Sequence, residues 1–359
     1  MGLNEKFFKS AAAAGGSDYF NTVLYTGNGY PNSGTQPITE VGFKPDLVFI
    51  KARDTTAYPV MVDSIRGNLK YLYPNTTLAQ ATQNGTGFLS FDDDGFSLGA
   101  DTAGDGVNRT NDGPYVSWNF KAGGPAVAGT GTNAQSVSYS ANPDAGFSIV
   151  KFTANGSSTY TATHGLNQAP DLVITKSTTA SANWISYVSS LGISKYIYFN
   201  TTAAEGTYSN LWSGMSSTHI GGTSAVYGAS HTFIHYCFHS VAGVQKIGSY
   251  TGSGISGKQV TGLGFKPSFV MIKGASAMIT ARQPYASWTI HDNKREIEST
   301  DNVTNPLFAN KNYSEGKRGN GNTQDAVLDL EFEDNGFKIN HNGPESNSSS
   351  DSYIYLAIA

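Results

Sequence analysis

The chain carries little charge. Only 14% of its 359 residues are Asp, Glu, Lys or Arg, and 23 basic against 27 acidic residues leave a net charge of -4. Its Lys and Arg form no basic run. Phosphate-backbone binding depends on clustered cations, so nucleic acid is not an expected partner. Cys237 is the one cysteine, which excludes an intrachain disulfide. No stretch approaches the ~20 apolar residues of a spanning helix, so membrane insertion is not expected. Residues 1–16 also lack the apolar core of a secretory signal, because Phe7-Phe8 runs straight into Lys9 and alanines. Gly2 opens no myristoylation motif, since Lys6 stands where Ser or Thr is needed. Synthesis in a cytoplasm is the expectation.

What the chain has instead is glycine (41 residues), Tyr (20) and Phe (19), among many Thr, Ser and Asn. That is the balance of short strands joined by turns, with little helix. The length suits two or three domains, and a signature recurring three times decides between them. Tyr25-Thr26-Gly27-Asn28-Gly29 precedes Gly42-Phe43-Lys44-Pro45-Asp46-Leu47-Val48-Phe49-Ile50-Lys51. Phe152-Thr153-Ala154-Asn155-Gly156 precedes Pro170-Asp171-Leu172-Val173-Ile174-Thr175-Lys176. Tyr250-Thr251-Gly252-Ser253-Gly254 precedes Gly264-Phe265-Lys266-Pro267-Ser268-Phe269-Val270-Met271-Ile272-Lys273. Each copy closes on an alternating strand, Tyr115 to Phe120, Phe233 to Phe238 and Tyr353 to Ile358. Period-two alternation predicts a half-buried strand, with Val116, Trp118 and Phe120 inward and Ser117 and Asn119 on a variable outer face.

The expected architecture is all-β: three tandem antiparallel β-sandwich modules, jelly-roll-like, over residues 19–122, 147–243 and 244–359. Residues 123–146, rich in Gly, Ala, Ser and Asn, read as a linker or a bridging strand, with a strand over Ser136–Tyr139. Residues 1–18 read as an N-terminal anchor whose Phe7 and Phe8 would dock on another protein. Asp92-Asp93-Asp94-Gly95 and Glu333-Asp334-Asn335-Gly336 predict hairpin turns with positive φ at both central residues. The polar stretch Asn302–Gln324, with Lys311, Lys317 and Arg318, predicts a long loop.

The repeated strings, and above all Ser140-Ala141-Asn142-Pro143-Asp144-Ala145-Gly146-Phe147-Ser148-Ile149-Val150-Lys151, resemble a repeated domain of uncharacterised function found in tail-fibre and other virion proteins of tailed bacteriophages, many of them marine or cyanobacterial. The resemblance covers nearly all of the chain after residue 19 and rests on Gly, Pro and aromatic positions. It implies a bacteriophage virion structural protein, located in the virion. Its implied partners are other virion proteins through the N-terminal segment, further copies of itself, and a host-surface glycan. A tail-fibre component for host attachment is the first expectation, and a capsid or tail decoration protein the second. The resemblance carries no catalytic motif and no cofactor. Two departures stand out. Ser268 replaces Asp46 and Asp171, which argues against a ligand role for Asp46. Ile290-His291-Asp292-Asn293 stands where the first copy reads Val62-Asp63-Ser64-Ile65-Arg66-Gly67, which argues against an ion pair at Arg66.

Several constellations could carry chemistry. Asp92, Asp93 and Asp94 could hold Ca²⁺, but as turn residues they are expected to face water. His231, His235, Cys237 and His239 share strand parity, yet neighbours two apart lie roughly 7 Å apart, too far for one Zn²⁺ to take more than two. No metal site is expected. Cys237 lacks an oxyanion loop for nucleophilic catalysis. Glu331 and Glu333 are the best-spaced acids for a polysaccharide depolymerase, while Asp101, Asp105, Glu315 and Glu345 lie in turns or loops. The expectation is no catalytic residue and no enzyme activity. Trp184, Trp212 and Trp288 are the candidates for stacking on sugar rings, with core packing as the alternative.

Overall fold

A computed structural model describes residues 16–29, 34–100, 106–109, 113–228, 230–276, 282–295, 297–298, 303–316 and 328–359. Phe7 and Phe8, Asp101 and Asp105, and Lys317 and Arg318 lie outside the described residues. Helix among the described residues is limited to single turns at Gly16–Asp18, Ser224–Tyr227 and Gln283–Tyr285. The rest is strand and turn, as the aromatic and β-branched content requires.

Three four-strand arrays have one strand order. In the first copy Phe20–Thr26, Pro114–Phe120, Leu47–Ala52 and Val60–Asp63 lie side by side. The second copy repeats this with Phe147–Ala154, Thr232–Phe238, Leu172–Ser177 and Ile185–Val188. The third has Gln245–Thr251, Ser352–Ile358, Phe269–Gly274 and Thr289–Asp292. The closing strand therefore always inserts, antiparallel, between the first and second strands. Register is shared as well: Leu47 faces Phe120, Leu172 faces Phe238, and Phe269 faces Ile358.

Each array is covered on its outer face by a smaller sheet, which makes a sandwich. In the first copy Val48, Ile50 and Val62 pack with Phe88, Phe96 and Leu98 of the covering sheet. In the third, Val270 and Ile272 pack with Val260, Phe337 and Ile339. In the second, Val150 and Val173 pack with Tyr160, Ala162 and Ile220. The outer face of the closing strands is thus not solvated, contrary to the half-buried expectation. Ser117, Asn119, His235 and Cys237 are all fully buried. The Asn119 amide nitrogen donates there to Asn21 O and Ser117 Oγ, while its Oδ1 is buried without a hydrogen bond among the described residues.

The inner faces do more than close separate cores. One continuous cluster joins Val116, Trp118 and Phe120 to Ile234, Tyr236 and Phe238 and to Ile354, Leu356 and Ile358. Phe20 meets Phe269 at 5.1 Å between ring centroids, Phe120 meets Phe238 at 6.0 Å, and Phe199 meets Trp288 at 5.0 Å. The three copies converge on a single apolar core, so they do not behave as beads on a linker.

The segment at 123–146 proves to be part of the second sheet. Ala134–Asn142 pairs antiparallel with Phe147–Ala154, and Val127–Ala128 pairs outside it. It adds two strands at one edge of the second array, and Lys195–Tyr198 and Gly206–Thr207 add two at the other, giving an eight-stranded sheet. The stretch after Asn302 is not all loop, because Leu307–Phe308 pairs with Thr289–Ile290. The two hairpins form, but with a different turn. Asp92 pairs with Gly95 and Glu333 with Gly336, and only the glycines have positive φ, at 137° and 153°. A Cβ at either glycine would sit 2.0 Å from a carbonyl oxygen, that of Ile38 or Val260. The side chains of Asp94 and Asn335 accept from the amides of Gly42 and Gly264 and so tie each hairpin to the Gly-Phe-Lys-Pro loop.

Candidate functional site

The chemistry-bearing residues singled out in the sequence are mostly structural. Trp184 is 0% exposed, and Trp212 and Trp288 are 1% exposed, so no ring face is open to a sugar. Their indoles serve the core instead. Trp212 Nε1 donates to Lys195 O at 2.8 Å, and Trp288 Nε1 donates across to Tyr198 O at 3.0 Å. Trp184 packs on Phe199. His235 stacks on Phe152 and contacts Thr175 Oγ1, and burial drives its imidazole down to about 3. Burial also pushes the Cys237 thiol well above its ordinary range, so it is an inert core group. Among the described residues no three His, Cys, Asp or Glu side chains gather as a metal site. Glu331 is paired with Lys338, which holds its carboxyl below the usual range, and Glu333 accepts from Gln259. Asp92 accepts from Ser90 and Ser97, as a turn acid would.

Polar groups converge at the junctions between copies, and they do so in cyclic order. Tyr236 of the second copy donates to Asp63 of the first at 2.8 Å. Trp118 of the first donates to Asp292 of the third at 3.0 Å. The strand registers make Asp63 and Asp292 equivalent positions, and likewise Trp118 and Tyr236. Each aspartate is held by an arginine three residues on. Arg66 Nε donates to Asp63 Oδ2 and Arg295 Nε to Asp292 Oδ2, with all four side chains 0–2% exposed. Arg66 also donates to Met61 O and Arg295 to Ile290 O, the same place in each copy. The ion pair discounted at Arg66 is therefore present. The comparison in the sequence was out of step: Asp292, not His291, answers Asp63. At the third junction the whole set is apolar. Val188 and Leu356 occupy the Asp and Trp/Tyr positions in the common core, and Leu191, in the Arg place, packs against it.

A second cyclic set was quoted in the repeats without a role. Lys51, Lys176 and Lys273 end equivalent strands and are fully buried. Each reaches into the next copy. Lys51 donates to Lys311 O at 3.0 Å, Lys176 to Thr77 O at 3.0 Å, and Lys273 to Thr201 O at 3.3 Å. Burial lowers their amines to about 7, 8 and 7; Arg295 adds to this at Lys51, and Lys311 at Lys273.

A concave feature suited to a small ligand lies at the exit of the first copy. It is a cleft of about 730 Å³ between the Gly-Phe-Lys-Pro loop, the departing segment and the turn before Phe147, with Lys44, Asp46, Lys121, Pro125, Asn142 and Pro143 among its walls. Asp46 organises it. Its Oδ2 accepts from the amides of Ala122 and Gly124, at 2.8 and 3.2 Å, and its Oδ1 from Ser64 Oγ at 2.9 Å. Burial raises its carboxyl above the usual range, opposed by those donors. Asp171 does the same work in the second copy with Ser240 N and Ser189 Oγ, and Ser268 in the third with Ala359 O. Asp46 is thus a brace for the chain leaving the closing strand. Nothing in the sequence flagged Lys44 and Lys121, because they meet only through this fold.

Searches against curated proteins and against solved structures each return no match. A family model described as a domain of unknown function, DUF7483, matches residues 15–359. That span takes in all three arrays, their covering sheets and the common core, and the chain belongs to the DUF7483 family.

Proposed function

We propose that this chain is a virion structural protein of a bacteriophage, a fibre or appendage component that attaches to a host-surface glycan and performs no catalysis. The reading rests on the resemblance of the repeated strings to domains of phage tail-fibre and virion proteins. The observation that carries it furthest is the division of labour in the fold. Many repeated residues are spent on one buried core and its junctions, while the exit cleft joins the repeated Lys44 and Asp46 to the segment 121–126, which the other copies do not repeat. Such a scaffold presents variable surface on a fixed frame. The chemistry-bearing side chains support binding over catalysis, since Cys237 is buried and Glu331 is paired. Purified protein added to host cells, or to their isolated surface polysaccharide, is expected to bind saturably. No binding at high protein concentration would remove the attachment role.

A decoration protein that stabilises a capsid or tail is the second reading. It is favoured by the convergence of the copies on one core, since that gives a body rather than a shaft. Locating the chain in a reconstruction of the whole particle separates the two: a lattice position on the shell supports decoration, and a distal appendage supports attachment.

A further inference from the structure

We propose that the cleft at the exit of the first copy binds a carboxylated sugar. The proposal rests on the attachment reading and names the ligand class. Charge comes first. The charged side chains in the cleft wall are Lys44, Lys121 and Asp46. Asp46 is 4% exposed, and both of its oxygens are engaged by Ala122, Gly124 and Ser64. It offers a ligand no open acceptor. Neither amine donates a hydrogen bond among the described residues; Lys44 lies near enough to Asp46 to favour its carboxylate, and Lys121 lies over the Phe43 ring. Among the described residues neither makes an ion pair, whereas Arg53, Arg66, Arg109, Lys195, Arg282, Arg295 and Lys338 all do. Lys44 is exposed and Lys121 half-buried, its Nζ lying 5.7 Å from the centre of the Phe43 ring. Asp144 follows Pro143 in the chain but is not part of the wall.

Shape comes second. About 730 Å³ falls within the range of small-ligand sites. Pro125, Ala126, Ala141 and Pro143 supply apolar wall in the same cleft as the two lysines. That combination matches a pyranose bearing one carboxylate: C–H faces against Pro and Ala, the anion against two ammonium groups. Lysine acts as a point charge and holds a carboxylate without the planar fork of arginine. Rigidity comes third. The Asp46 bonds to Ala122 and Gly124 fix the departing segment, and Ser140 Oγ donates to Gly124 O at 2.7 Å from the opposite wall. The cleft is therefore built before any ligand arrives, which lowers the ordering cost of binding.

The test is calorimetric titration of the full chain with D-glucuronate, D-glucose and inorganic phosphate, in the wild type and in Lys44→Gln and Lys121→Gln. Both lysines lie at the surface, and unchanged melting would show that the variants fold. Glucuronate is expected to bind, with glucose and phosphate each weaker by about tenfold or more. Each substitution, and ~0.5 M salt, is expected to weaken glucuronate by about tenfold, the size of one lost charge contact of roughly 1.4 kcal/mol. Equal affinity for glucose or phosphate, no binding of glucuronate, or indifference to both substitutions would overturn the assignment. Host-cell binding by the Lys44→Gln/Lys121→Gln double variant keeps the two readings apart. If cells are bound as before, attachment stands and the cleft is not its site. If wild-type protein takes glucuronate but ignores cells, the cleft stands and attachment falls.

Discussion

Asp63 and Asp292 hold the same office at two junctions, and the third junction shows what happens without it. Each is a buried anion between an arginine and an aromatic donor from a neighbouring copy. Removing one partner of such a set leaves an uncompensated charge, at a cost of about 3–5 kcal/mol, whereas replacing every partner with apolar groups can be nearly neutral. The trio Val188, Leu191 and Leu356 is that wholesale replacement, already in place. Arg66→Leu alone should therefore lower the urea-unfolding free energy by about 3–5 kcal/mol. Joining it to Asp63→Val and Tyr236→Leu should recover most of that loss. If the triple variant is as unstable as the summed singles, the equivalence of the junctions fails. At this scale the sequence was a partial guide. Trp184 and Trp288 stood out as comparable positions and are comparable, yet their exposure could not be read, because a tryptophan that stacks on a sugar and one that fills a core look alike along the chain. The Asp-Arg pairs are local, three residues apart, and a one-residue offset in aligning the third copy hides their recurrence, whereas the aromatic donors lie 173 and 174 residues from their aspartates and leave no local pattern.

Among elements, the first strand of each copy has a different neighbour. Phe147–Ala154 lies between two strands, Ala134–Asn142 and Thr232–Phe238. Among the described residues, Phe20–Thr26 and Gln245–Thr251 each pair on one side only. Gln245 N and Ile247 N donate to Val241 O and Ser240 Oγ, but the other outward amides of those two strands have no ladder partner among the described residues. In hydrogen exchange they should lose protection well before the matching amides of Phe147–Ala154, whose exchange should track deeper opening. Uniform protection across the three strands would refute this. Most elements were legible in advance: the closing strands, the Leu-Val-x-Ile-Lys strands and both hairpins lie where alternation and turn residues put them. Two features were not. The covering sheets bury the second face of strands whose polar Ser, Asn and His suggested water; hydrogen bonds inside the sandwich, such as Asn119 Nδ2 to Asn21 O and His235 Nδ1 with Thr175 Oγ1, replace part of what solvent would supply. The strand at Ala134–Asn142 is longer than its low hydrophobicity implied, because pairing with an existing edge supplies what its side chains do not.

For the whole molecule, the three interior lysines couple folding to pH. An amine near 10.5 when unfolded and near 7 or 8 when folded binds its proton more readily in the unfolded chain between those values. The cost of burying the charge is fully present below about pH 7 and is relieved as pH rises towards 10.5. The melting temperature should climb across that window, and Lys51→Met, Lys176→Met and Lys273→Met together should flatten the climb. A profile that is flat in the wild type, or unchanged in the triple variant, would contradict the role given to these amines. The cyclic order of the contacts has one more consequence. First touches third, second touches first, and third touches second, a head-to-tail relation that closes at three. In an assembly of separate identical subunits every such seam must be the same, and dilution pulls the ring apart. Here the seams are tethered on a single backbone, so their closure does not depend on protein concentration. Each seam joins its own pair of copies, and all three meet in the common core. A molecule wired this way can keep two charged seams and one greasy one, and can carry a ligand pocket beside a single copy without needing three.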